Sequence, residues 1–313
     1  MSEVWRRECE GKREMKTEKK EIIQERAAGI FFALCAAVSV FAVFAIGFYM
    51  FAKGLPALGK VGFRNIFLGT VWRPTGEEPE FGILYIILTS AAGTILAAVI
   101  GVPMGILAAV YLSEISDAGK SRIVRDAVEV LAGIPSVIYG LLGVYLLNPA
   151  MYRLERKIFA HSDTHRFTGG ANLLSAATVL AVMMLPTVIH ISETAIRSVG
   201  MEIRAASAAL GATKVQTIFC SVLPAARPGI IMAVVLGVGR AVGEAMAITL
   251  VSGGSVNAPF PFSSVRFLAT AIVSEMGYSQ GLHRQMLFTI ALVLFGFVLL
   301  VNLAAKLILK GRT

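Results

Sequence analysis

The chain has 313 residues, 56% of them hydrophobic and 16% charged, and a formal net charge of +9. Soluble domains run at about 45–50% apolar and about 25% charged. A chain this apolar has no polar shell for its surplus side chains, which excludes a soluble globular protein, a disordered chain and a nucleic-acid-binding module.

Six stretches free of Asp, Glu, Lys and Arg follow one another at 27–52, 81–113, 130–152, 167–192, 245–265 and 285–305, each at least 21 residues long. A bilayer-spanning helix needs roughly 20 predominantly apolar residues. The runs lack the alternation of a transmembrane barrel. The expectation is an all-α membrane protein with six transmembrane helices and membrane lipid as its surroundings. The fifth helix starts early, near Pro228, and carries charge inside it. The domain reading is a tail at 1–27, one six-span domain at 28–309 and a short end at 310–313. The 26-residue polar segment ahead of the first run is unlike a secretory signal, so that span is expected to be retained.

If both termini are cytoplasmic, 18 Lys and Arg residues fall inside and 10 outside, with Arg240 in a span. That excess follows the positive-inside bias and places both ends in the cytoplasm. The tail mixes 8 basic with 7 acidic residues, the pattern of a solvated or membrane-surface helix. The first external loop holds Trp72 and Pro74 beside Glu77, Glu78 and Glu80.

In span 2, Gly101 and Gly105 form a small-residue face suited to close helix approach. Gly119, Lys120 and Ser121 look like the end of a phosphate-binding loop, but Glu114 stands where that pattern wants glycine. Span 3 contains Pro135 and Ser136, preceded by Glu129; Pro135 kinks or breaks the helix, and broken helices at membrane depth line cavities. In the second external loop His161 and His165 stand four apart, without the further ligands a metal needs. Cys9, Cys35 and Cys220 have no paired spacing, so neither a zinc site nor a disulfide framework is expected.

The loop at 197–227 is the most informative stretch. Helix formers run to Gly211, a natural stop. Val215, Ile218, Phe219 and Val222 then recur at helical spacing, ended by Pro224. This predicts two short helices, the second with an apolar stripe that suits a lipid surface or a groove on another protein. Beyond it, Arg240 and Glu244 stand four apart on one predicted helix face. Ionisable groups in a span mark pathways or pair with one another, so Arg240 either meets an anionic substrate through its planar fork or pairs with Glu244. Gly239 and Gly243 are read as a helix-packing face.

Gly211 and Pro224, thirteen residues apart, resemble the EAA coupling loop of ABC importer permeases. The strings around Pro135 and Tyr139, and from Leu223 through Arg240 to Ala247, are similar to the Pst phosphate importer permeases. Gly243 to Ala247 and Gly281 to His283 favour the PstC type. The position that usually holds the motif's Glu is Ala205 here, with Arg204 beside it.

The resemblance implies an ABC importer permease fold and an ATP-driven importer of inorganic phosphate. It implies a PstA-like second permease, a dimer of PstB-like ATPase subunits and a PstS-like phosphate-binding protein as partners. ATP and Mg would be used by the ATPase, with no cofactor and no catalytic residue in this chain. Arg240, Glu244, Pro135 and Ser136 are the expected substrate path. Ala205, Ala206, Gly211, Ala212, Thr213, Ile218, Leu223 and Pro224 are the expected coupling surface. The alternatives are an ABC permease for sulfate or molybdate and a secondary anion transporter. An intramembrane enzyme would need a nucleophile–base pair or metal cluster, and His190 is the one histidine within a run.

Overall fold

The computed structural model describes residues 2–162 and 164–310, with side chains placed at 25–26, 28–117, 119–162 and 164–308. The chain falls into two units, Met1–Ala52 and Lys53–Thr313. The first helix is α1 (Ser2–Val61). Along α1 the segment Ala28–Val61 is apolar enough to cross a bilayer.

The second unit is helical throughout its core. After α2 (Phe63–Leu68) comes a small antiparallel hairpin, β1 (Trp72–Arg73) with β2 (Glu80–Phe81). Then follow α3 (Leu84–Val110), α4 (Ala118–Gly133), α5 (Ser136–Leu142), α6 (Asn148–Ile158) and α7 (Leu173–Arg197). Next are α8 (Met201–Ala209), α9 (Lys214–Thr217), α10 (Leu223–Gly243), α11 (Met246–Val251), α12 (Leu268–Glu275) and α13 (Gly281–Lys310). Widened π-helical turns at Tyr111–Ile115, Gly143–Leu147 and Ile218–Val222 join or extend neighbouring helices.

Among the described residues five helices are long and apolar enough to span a bilayer, and a sixth is counted if the bent pair Gly119–Gly133 and Ser136–Ile158 makes one crossing. The fifth charge-free run is not itself a span. The crossing is Lys214–Gly243, and the run behind it holds only α11 before Gly253 and Gly254, both at positive φ, turn the chain into a loop.

Buried α7 is the hub, flanked by α3 and α10. Small residues let the backbones approach: a Cβ at Gly101 would stand 3.0 Å from the Ala181 carbonyl oxygen, and one at Gly105 would stand 2.7 Å from Val188 Cγ1. Leu180, Met184, Val188 and Ile248 fill this central core. A second cluster, with Ile66, Ile83, Ile86, Leu268 and Met286, lies under the hairpin. A third, with Val110, Ile196, Ile218 and Val222, closes the opposite end, where α8 and α9 lie.

Candidate translocation path and coupling surface

Two helix breaks carry the expected path residues. Proline disfavours helical geometry in the residue before it, and Ile134 accordingly sits at φ −70°, ψ 127° ahead of Pro135 at φ −57°, ψ 140°. The axis turns by 98° between the two sides of this break. The second break follows Gly243. Glu244 leaves the helix at φ −75°, ψ 124°, and its Oε1 accepts the Ala247 N–H at 3.0 Å, satisfying one of the donors that a new helix start leaves open.

The shared helix face expected for Arg240 and Glu244 is therefore absent. The glycines at 237, 239 and 243 weaken the helix, and the carboxylate serves the start of α11 instead of the guanidinium. Among the described residues Arg240 is exposed and has neither a hydrogen bond nor an ion pair. On α5 the Tyr139 hydroxyl donates to the Leu131 carbonyl at 2.6 Å.

The two breaks are brought together by packing of α5 on α11. A Cβ at Gly140 would lie 2.9 Å from Ala247 Cα, so only glycine permits this approach. Ser136, half-buried, opens α5. Gly239 and Gly243 do not pack within the chain, since a Cβ at either would meet nothing within 4 Å. Close approach falls instead at Gly229 against Ala195 and at Gly237 against Val188.

In the loop at 197–227, α8 ends ahead of Gly211, whose φ of +82° reverses the chain. Thr213 then caps α9 reciprocally with Gln216: the Gln216 N–H donates to Thr213 Oγ1 at 3.3 Å, and the Thr213 N–H donates to Gln216 Oε1 at 2.9 Å. This T-x-x-Q pattern was readable as a capping box. Pro224 does not end the second helix. It lies just after the π-helical turn at Ile218–Val222, inside the continuous helix Lys214–Gly243.

The expected apolar stripe divides. Ile218 and Val222 are buried, whereas Val215 and Phe219 are 63% and 52% exposed; Leu210, ahead of the turn, is 90% exposed. Ile218 is thus an anchor and not part of an open surface. Ala205, Ala206, Gly211, Thr213 and Pro224 are exposed; Ala212 and Leu223 are half-buried. Arg204 holds α8 down: Nη2 donates to Glu114 at 2.6 Å and to the Ile196 carbonyl at 3.0 Å, and Nη1 donates to the Val199 carbonyl.

The profile described as "Binding-protein-dependent transport system inner membrane component" matches residues 101–312. The chain belongs to this family. It is 37% identical over 277 residues to the probable ABC transporter permease protein YqgH of Bacillus subtilis, covering 86% of each. It is 32% identical over 292 residues to the phosphate transport system permease protein PstC of Xylella fastidiosa, covering 90% of this chain and 86% of that one. A bacterial alginate ABC transporter in complex with its alginate-bound periplasmic protein superposes with TM-score 0.60 at 20% identity, covering 88% and 92% of the two chains. The MetNI methionine ABC transporter in an inward-facing form superposes at 0.51 and 23%, covering 74% and 94%. These two share the fold.

The protein is a multi-pass inner-membrane permease subunit of an ABC transporter. Two polar clusters in this permease had no signal in the sequence, because their members stand on loops and helix ends with no helical or strand spacing between them, and Trp72 is 203 residues from Glu275. Glu275, 4% exposed, accepts from Trp72 Nε1 at 3.0 Å and from Arg266, and pairs with His283 Nε2 at 2.8 Å. Fully buried Glu155 pairs with His165 at 2.8 Å and accepts the Thr168 N–H at 3.0 Å. His165 is thereby engaged by a carboxylate, and among the described residues no group of three or more His, Cys, Asp or Glu is placed to hold a metal.

Proposed function

We propose that this permease is the PstC-type subunit of an ATP-driven importer of inorganic phosphate. It receives the anion from a PstS-like binding protein and forms the path with a PstA-like second permease. A dimer of PstB-like ATPase subunits, using ATP and Mg, grips the loop at 197–227; the chain itself contributes no catalytic group. Both termini face the cytoplasm, as the distribution of Lys and Arg favours.

The observation that carries the reading is Arg240, three residues before the break after Gly243, exposed and, among the described residues, without a side-chain hydrogen bond or ion pair. A guanidinium fork suits an oxyanion, and intramembrane charge is retained where it faces a pathway. The PstC relative adds phosphate as the anion. Pro135 and Ser136 line the same passage, and Glu244 fixes α11 beside it. On the other side, Ala205, Ala206, Gly211, Thr213 and the exposed Leu210, Val215 and Phe219 form the surface for the ATPase.

The test is uptake of labelled phosphate at low external concentration in cells lacking this gene, with the wild-type or Arg240→Ala chain restored and excess sulfate as competitor. Phosphate uptake that ignores sulfate and is lost in Arg240→Ala, with the variant still co-purifying with its ATPase, is the expected result. Uptake at the wild-type rate by Arg240→Ala removes Arg240 from the path. Restored uptake of sulfate instead of phosphate changes the anion.

A further inference from the structure

We propose that α4 is not the first half of a membrane crossing but an amphipathic helix lying in the bilayer surface on the side of the loop at 197–227. Its apolar stripe would enter the acyl-chain boundary of that leaflet.

The first argument is directional. The charge-free part of Ser136–Ile158 ends at Tyr152 and is roughly 26 Å long at 1.5 Å per residue, at the short end of the about 17–25 residues that a crossing uses. Gly119–Gly133 is turned 98° away from it. A helix perpendicular to a span runs in the plane of the membrane.

The second argument is depth. Arg125 Nε donates to Glu193 at 2.7 Å, and Arg197 Nε donates to the same oxygen at 2.9 Å. Ser121 Oγ and Arg197 Nη2 both donate to the Leu112 carbonyl, at 3.1 and 3.1 Å. These contacts pin α4 to the last turns of α7, where the chain leaves the membrane for α8.

The third argument is the pattern around the helix. At 100° per residue, Ser121, Arg125 and Val128 form the face turned to the protein, buried or half-buried. Ile123 and Val130, on the opposite side of the helix, are 71% and 67% exposed. Arg122, Asp126 and Glu129 make a third, exposed polar stripe. A crossing helix is apolar over most of its surface, whereas separate apolar and charged faces mark a helix lying in the interface. Exposed Lys120 and Arg122 suit anionic headgroups at its start. Since α4 ends at the Pro135 break, the leaflet supports the element that leads into the passage beside Arg240.

The assembled transporter, with its own cysteines replaced, is reconstituted in vesicles of phosphatidylcholine and phosphatidylglycerol. Single spin labels are placed through Arg122→Cys, Ile123→Cys, Asp126→Cys and Val130→Cys. Labels at 123 and 130 should collide with oxygen and not with a water-soluble nickel chelate, at about 5–10 Å below the headgroups, and labels at 122 and 126 should do the reverse. Ile123→Trp gives a second readout, quenched more by lipid brominated near the headgroup than at the chain end. Labels at 123 and 130 near the bilayer centre would restore the crossing. Labels there shielded from both reagents would assign the stripe to the second permease chain, and nickel access at all four would place α4 in water. Each of these three overturns the proposal.

Discussion

Arg204 on α8 donates to Glu114 at 2.6 Å, joining residues 90 apart in sequence across the foot of the permease. The pair is mostly buried, and the guanidinium also binds the carbonyl of Ile196. The loop at 197–227 is therefore held against the end of α3 by a polar clamp as well as by Ile218 and Val222. Arg204→Ala should cost about 2 kcal/mol, the scale of a hydrogen bond to a charged group. It should lower both the melting temperature of the complex and the amount of ATPase that co-purifies. Glu114→Gln, which still offers an acceptor, should be milder.

Gly211 has φ +82° and open space around its Cα. Any loss from substitution there is backbone strain and not a clash. Gly211→Val should cost about 1–2 kcal/mol and reduce transport and ATPase retention. Gly211→Asn should keep most of both, because Asn enters the left-handed region more readily. Equal behaviour of the two variants would show that strain is not the determinant.

The contact of α5 with α11 rests on Gly140. Gly140→Val places atoms where Ala247 and Leu250 already stand, and overpacking costs about 1–3 kcal/mol. Separating the two breaks should abolish transport while the chain still inserts and assembles. Gly239→Ala is the control, since a Cβ there meets nothing within 4 Å, and it should transport normally.

Trp72→Phe keeps the ring packing on Phe81 and removes the indole N–H from Glu275. The expected cost is about 2 kcal/mol, read as a lower melting temperature of the purified complex. Glu275→Ala should be worse, because it strands Arg266 and His283 together. Unchanged melting in both would leave the cluster without a stabilising role.

The helical membrane class, the retained charge at Arg240, the turn at Gly211 and the break at Pro135 were legible because each depends on local chemistry. Run length reports the solvent, glycine reports positive φ, and proline reports a lost donor. The split of the stripe into buried Ile218 and exposed Phe219 was not legible. Spacing gives a face, but it does not say which neighbour covers which side of it. The pairing of Arg240 with Glu244 failed for a related reason: helical spacing holds only while the helix continues, and Glu244 bonded to the backbone of α11 instead.

The sequence by itself determined that the chain crosses a membrane through helices, that the chain breaks at Pro135 and turns at Gly211, and which family's motifs it carries. Those properties follow from hydrophobicity and backbone preference, which act over a few residues. Only the tertiary structure decided that α5 meets α11 at Gly140, that Glu275 gathers Trp72, Arg266 and His283, and that α4 turns 98° from its neighbour. The contacts of Gly140 with Ala247 and of Trp72 with Glu275 join residues remote in sequence, and the size of a bend depends on what packs on each side of it. Their energy comes from packing and from satisfying buried polar groups, so no local window contains it.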